Sequence, residues 1–165
     1  MEELEKLRKE IDQLDKMIAE LIFKRQGLSN KILDAKRGKF TYDPVREKKV
    51  MEKIFSYDIN PKLAERIWRQ IIAFNLSKQK KLKIGHLGDD KFSIAAYESY
   101  FGPYFKIIDF ENCTKLMEGI NNKIIDLAIV EKSQLALNKI DSKIKIVSEF
   151  PLSEYFYKKK YLILK

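Results

Sequence analysis

Apolar residues recur at alternating steps of three and four from residue 4 to residue 35: Leu4, Leu7, Ile11, Leu14, Ile18, Leu21, Leu28, Ile32 and Ala35, with Arg25 occupying the same seam. That spacing is one face of a helix. It predicts a single unbroken helix roughly 48 Å long at about 1.5 Å per residue, longer than a small domain is wide. A helix with one apolar stripe over that length needs a partner along all of it. Gly38, just past the pattern, is placed to end the helix. Asp43-Pro44 reads as N-cap and first helical position of a second helix, roughly 44–56, with Val50, Met51, Ile54 and Phe55 inward. Asn60-Pro61 opens a third, roughly 61–81, whose row at steps of four runs Leu63, Ile67, Ile71, Asn75, Gln79.

The period changes near residue 82. Short β-prone runs follow at Leu82–Ile84, Lys106–Phe110, Ile125–Val130, Ile144–Val147 and Tyr161–Leu164, with helix-like stretches at Ser93–Phe101 and Thr114–Asn121 between them. Strands alternating with helices predict a small α/β domain with a partly parallel sheet. The fold class expected is therefore α+β in two parts: an all-α, three-helix domain over residues 1–81 and an α/β domain over 82–165, the boundary falling within Lys78–Lys83.

Composition narrows the chemistry. The formal net charge of +9 favours anionic partners. Most of the lysines suit solvated helix faces, and no zinc-finger, RNP-type or Gly-rich phosphate-loop pattern is present, so a nucleic-acid partner is not expected. No run of 18 apolar residues exists, so no membrane span is expected, and the acidic, amphipathic start does not read as a secretory leader. Cys113 is the single cysteine and His86 the single histidine. An intrachain disulfide is impossible, a zinc site is not expected, and a reducing cytoplasm fits.

Three polar residues stand where the patterns call for apolar ones. Arg25 lies on the seam of the first helix, and a buried guanidinium must meet an anion or a carboxylate; a register-fixing salt bridge is the plainer alternative. Asn75 and Gln79 continue the apolar row of the third helix, where an interhelical hydrogen-bond pair would also explain them. Arg8 and Lys36 flank the seam on one side, positions that solvated residues commonly take. Asp43 is accounted for by capping, and Glu47 suits the dipole in the first turn of the second helix, whereas Arg46 does not and hints at a ligand. Arg25 and Lys36 lie about 16 Å apart along the helix, within reach of opposite ends of one small molecule. Arg8 is about 26 Å from Arg25 and cannot join them within its own straight helix. An antiparallel partner helix would bring a second Arg8 there.

The segment Leu7-Arg8-Lys9-Glu10-Ile11-Asp12-Gln13-Leu14-Asp15 resembles the opening of the helical class of chorismate mutases. Lys24-Arg25, Ala35-Lys36, Tyr42-Asp43-Pro44-Val45-Arg46-Glu47 and Gln79 follow with that family's spacing, over about residues 4–81. The resemblance implies an intertwined helical homodimer with two equivalent sites. It implies rearrangement of chorismate to prephenate, on the route to the aromatic amino acids, through a pericyclic transition state. No cofactor, nucleophile or general base is required; restriction of the substrate and stabilisation of charge on the breaking ether oxygen suffice. By resemblance, Arg25 binds one carboxylate and Arg8 of the second subunit binds the other, as bidentate guanidinium groups do. Lys36 and Gln79 donate to the ether oxygen from two sides. Glu47 and the backbone near Asp43 hold the ring hydroxyl, and Arg46 orders that wall. Asn75 stands where many relatives carry a small hydroxyl residue. A neutral Gln79 leaves such a site usable at neutral pH, where a Glu would have to be protonated.

Lys83-Ile84-Gly85-His86-Leu87-Gly88 with Phe92-Ser93, and Asp126-Leu127-Ala128-Ile129-Val130-Glu131-Lys132-Ser133, resemble parts of a prephenate dehydratase domain. That family's domain is about twice as long, its Thr-Arg-Phe motif is absent, Lys91 replaces a Thr, and Lys132 replaces an Asn. The resemblance implies a truncated relative without dehydratase activity, with His86 a strand-end residue rather than a catalyst. Two other readings compete with the mutase: an isochorismate pyruvate-lyase on the same fold, and a non-enzymatic basic helical dimer. The dehydratase-like tail favours the mutase, since prephenate is the dehydratase's substrate. The dimer reading leaves Arg25, Asn75 and Gln79 unexplained. The helical part is expected to keep its activity when residues 86–165 are deleted.

Overall fold

The computed structural model describes residues 2–35, 42–88, 91–137, 141–152 and 159–165. Helix α1, Glu2–Ala35, is the long element expected, with Glu2, Glu3 and Glu5 facing the positive end of its dipole. By contacts the chain divides into Met1–Phe40 and Thr41–Lys165. In the first unit no described residue of α1 is buried. Along its seam Leu14 is 57% and Leu21 60% exposed.

The second unit begins with helices α2, Pro44–Phe55, and α3, Pro61–Gln79. Both open as the sequence indicates. Asp43 accepts from the Arg46 amide ahead of Pro44, and the Asn60 side chain accepts from the amides of Lys62 and Leu63 around Pro61. Helix α3 ends at Gln79, two residues before the expected stop, because Lys80 turns extended at φ −155° and ψ 139°. The chain then enters a five-stranded mixed sheet in the order β2-β1-β3-β5-β4. Strands β1 (Lys83–Leu87), β2 (Lys106–Phe110) and β3 (Leu127–Glu131) run parallel, while β5 (Tyr161–Leu164) pairs antiparallel with both β3 and β4 (Ile146–Phe150).

Helix α4, Lys91–Phe101, joins β1 to β2 through a single 3-10 turn, Gly102–Tyr104; helix α5, Cys113–Asn121, joins β2 to β3. Gly102 sits at φ +61°, where a Cβ would meet the Tyr104 ring and Gln70 Oε1, so the turn calls for glycine. A short α6, Lys132–Ala136, follows β3 directly. One core lies between α5 and the sheet, built on Leu116, Met117, Ile125, Ala128, Val130 and Leu164. Burial of β3 on both faces explains its continuous apolar run, Leu127 to Val130.

Helix α3 packs on α4 and its turn, and α2 packs on β4. Of the row Leu63, Ile67, Ile71, Asn75, Gln79, this chain by itself buries Asn75. Leu63 and Ile67 are exposed, and the buried positions are Ala64, Glu65, Arg69, Ala73, Asn75 and Leu76. Hydropathy hid that face, because small alanines and a paired acid and base score as surface.

Candidate active site

Helix α1 carries two of the predicted substrate residues. Arg8 is exposed, and its Nη1 donates to Glu5 Oε1 at 2.9 Å one turn earlier. Arg25 is half-buried, and its carbonyl accepts from Ser29 Oγ at 3.1 Å. Lys36 and the expected helix stop at Gly38 lie outside the described residues.

The second unit carries the rest. Asp43 is fully accounted for as a cap: its Oδ1 takes the Arg46 amide at 2.9 Å and its carbonyl takes the Glu47 amide at 3.0 Å. Arg46 itself is exposed. Asn75 is buried on α3, and its Nδ2 donates to no described residue. Gln79, one turn on, is half-buried at the helix end. Of these residues, the structure ties Glu47 to α3, and it does so through a residue that sequence reasoning did not single out.

That residue is Arg69. Its Nη1 donates to Glu47 Oε2 at 3.1 Å, and the two side chains are 4% and 13% exposed. Tyr100, on α4, donates its hydroxyl to the same Oε2 at 3.4 Å, stands 3.2 Å from Ser148 Oγ and 2.8 Å from the Tyr42 hydroxyl, and lies under the Arg69 guanidinium at 4.5 Å from ring centre to Cζ. Neighbouring Glu65 accepts the Leu152 amide at 2.7 Å. Burial pushes the Glu47 carboxyl above its ordinary value, while Arg69 pulls the other way. Burial also works against the charge of Arg69, but the Glu47 carboxylate beside it favours the charge, and the guanidinium stays protonated. Burial lifts both phenols, so Tyr42 and Tyr100 keep their protons at neutral pH. The only local signal in the sequence was Glu65 and Arg69 four residues apart on α3. Tyr42, Tyr100 and Ser148 are brought in by the fold.

In the α/β part, His86 is the fourth residue of β1, buried, with Nε2 paired to Asp109 on β2. The turn at Glu131–Ser133 is also committed internally. Glu131 holds Lys159 at 2.6 Å and Ser133 Oγ at 2.6 Å, while Lys132 reaches Glu149 at 3.1 Å. Ser93 is buried with its Oγ bonded to no described residue.

No described helix is long and apolar enough to cross a membrane. No solved structure matches the chain. A bifunctional chorismate mutase/prephenate dehydratase of Aquifex aeolicus (strain VF5) is 36% identical over 112 residues, covering 62% of this chain and 31% of that protein. The chain thus spans about a third of the length of that curated relative. A match over 62% of the chain is longer than residues 1–81, so it runs on into the α/β part. The family model for chorismate mutase type II matches residues 7–80, a stretch that contains every candidate substrate residue from Arg8 to Gln79. Residues 7–80 thus match the chorismate mutase type II family model, and the likeness to the bifunctional relative runs on beyond them into the α/β part.

Proposed function

We propose that the protein is a chorismate mutase that converts chorismate to prephenate in aromatic amino acid biosynthesis, acting as a homodimer in the cytoplasm. The observation that carries this reading is the family match over residues 7–80, which spans the whole predicted residue set. The exposed apolar seam of α1 supports a second chain as its partner.

In this reading catalysis is electrostatic. Arg25 takes one substrate carboxylate, and Arg8 of the second subunit takes the other. The two guanidinium groups restrict the substrate to a conformer in which the reacting carbons meet, so the entropic part of the barrier is met on binding. Lys36 and Gln79 donate to the ether oxygen as the C–O bond breaks and negative charge builds on it. Glu47, with the backbone near Asp43, accepts from the ring hydroxyl. Arg46 and Asn75 complete the polar wall. The α/β part performs no dehydration.

Chorismate consumption by the purified chain, followed by absorbance with product separation, tests this. Prephenate alone is the expected product. Phenylpyruvate formed without added acid would give the α/β part a dehydratase activity after all. Turnover of isochorismate with release of pyruvate, and none of chorismate, would replace the mutase by the lyase.

A further inference from the structure

The Glu47 cluster is more elaborate than a helix-to-helix salt bridge needs to be. Two donors from different elements, Arg69 on α3 and Tyr100 on α4, converge on one oxygen, Oε2. The other oxygen, Oε1, accepts from no described residue. A carboxylate fixed at one oxygen has its second held in a set direction, with lone pairs left for a ligand hydroxyl.

The tyrosine proton can be followed. Tyr100 has one O–H and two acceptors in reach, Glu47 Oε2 at 3.4 Å and Ser148 Oγ at 3.2 Å; the carboxylate is the stronger acceptor, and with the proton there the phenol oxygen is left to accept from the Tyr42 and Ser148 hydroxyls. The relay Tyr42 to Tyr100 to Glu47 thus ends on the carboxylate. It joins α2 and its leading residue to α4 and β4.

Two features argue that this arrangement is not there for stability alone. Arg69 Nε is buried and donates to no described residue, which costs about 1–3 kcal/mol. Replacing a buried ion pair by apolar side chains is often neutral or stabilising. Nor is the cluster itself a ligand site: the cavity among Glu47, Glu65, Arg69, Tyr100, Ser148 and Phe150 holds about 10 Å³, room for one water at most. A substrate must meet Glu47 from elsewhere, and the cluster acts on it by orientation.

We propose that Arg69 and Tyr100 are positioning residues for the Glu47 carboxylate, so that the α/β part, through Tyr100 and Ser148, sets the wall that accepts the substrate's ring hydroxyl. This rests on the mutase reading and on the role given there to Glu47. It gives the dehydratase-like part a task in the mutase reaction that needs no dehydratase chemistry.

The test is a double-mutant cycle on the full chain. Tyr100→Phe removes one oxygen and keeps the ring on which Arg69 stacks. It should lower kcat/KM for chorismate about tenfold, the loss expected for one hydrogen bond to a charged acceptor, with the far-ultraviolet spectrum unchanged. In a Glu47→Ala background the same substitution should change kcat/KM less than twofold, because a residue acting through Glu47 has nothing left to act on. Arg69→Lys, which keeps the charge and loses the fork, should behave in the same way and guards against misfolding of harsher variants. An equal loss in both backgrounds would mark a structural role and overturn the proposal while leaving the mutase intact. Turnover with no effect of Glu47→Ala would remove both the role of Glu47 and its positioning. Absence of any chorismate turnover in the unsubstituted protein would sink the mutase reading and this proposal with it.

Discussion

Lys80, the residue that closes α3, places its Nζ 2.7 Å from Oδ1 of Asp126, the residue that leads into β3. Asp126 Oδ2 accepts the Lys83 amide at 2.9 Å, and the Asp126 amide donates to the Lys83 carbonyl at 2.9 Å. The chain thus passes from helical domain to sheet through a clasp closed on both sides, not through a loose linker. The clasp and the burial of α3 against α4 say the same thing: α2 and α3 complete their core on the α/β part.

Asp126 gives that clasp a pH signature. Burial raises its carboxyl, but the bonds from Lys80 and Lys83 outweigh burial and hold it below its ordinary value. The ionised form is therefore favoured by folding. Its contribution is fully present above the unfolded-state value, roughly 4, and is lost as pH falls through the lower folded value. Asp126→Ala should cost about 1 kcal/mol at pH 7, modest because the pair is partly open to solvent. The deficit should shrink as pH falls from 7 to below the unfolded-state value of roughly 4. Urea unfolding at pH 7 and below that value measures it, and a deficit that does not change with pH would contradict the assignment.

Gly85 stands in the segment Lys83–Gly88 that resembles part of a dehydratase domain, yet its surroundings give it a packing reason. A Cβ there would overlap Ile125 Cδ1 and come within 2.8 Å of Leu116 Cδ1 on α5. Gly85→Ala should cost about 1–3 kcal/mol, toward the low end because both neighbours are flexible tips. Chorismate turnover by the folded protein should not change. Thermal melting beside an activity assay separates these effects, and a selective loss of activity would point to a ligand role for this strand end.

The seam of α1 should be covered by a second chain. Leu14→Asp would place an unpaired carboxylate in the middle of that interface, at a cost of about 3 kcal/mol or more per chain. Sedimentation equilibrium should show a dimer for the unsubstituted protein and a monomer for the variant, with turnover lost alongside. A variant that stays dimeric and active would place the interface elsewhere.

Much of this was legible in the sequence, for local reasons. The starts of α2 and α3 follow from Asp43-Pro44 and Asn60-Pro61, whose geometry is set within a few residues. Strands β2 and β5 fall on the expected residues because short β-branched and aromatic runs end in polar breaks. What was not legible is long-range. On α3, Glu65 and Arg69 are core residues only once the Leu152 amide and Glu47 neutralise them. Tyr42 and Tyr100 meet across 58 residues, and no periodicity reports that. Five-residue α6 is too short to show a helical period. Asp43 and Glu47 sit at the start of α2 as the Asp43-Pro44 cap implies, but the partners of Glu47 are not legible in the sequence.

The proposal that each site draws Arg25 from one subunit and Arg8 from the other can be tested without a structure of the dimer. Along one straight helix the two residues are about 26 Å apart, too far to grip the two carboxylates of one small molecule. Arg8→Ala and Arg25→Ala should each lower turnover by at least about a hundredfold, because each removes a charged bidentate contact from every site. When the two inactive proteins are unfolded, mixed in equal amounts and refolded together, half of the dimers should be mixed. A mixed dimer with shared sites contains one site lacking both arginines and one lacking neither. The mixture should therefore recover about a quarter of the unsubstituted activity, while each variant refolded alone recovers none. Sites built within one chain leave every site with one arginine missing, so the mixture would stay inactive. A recovered quarter would place Arg8 across the interface, and a mixture as inactive as its parents would confine each site to its own chain.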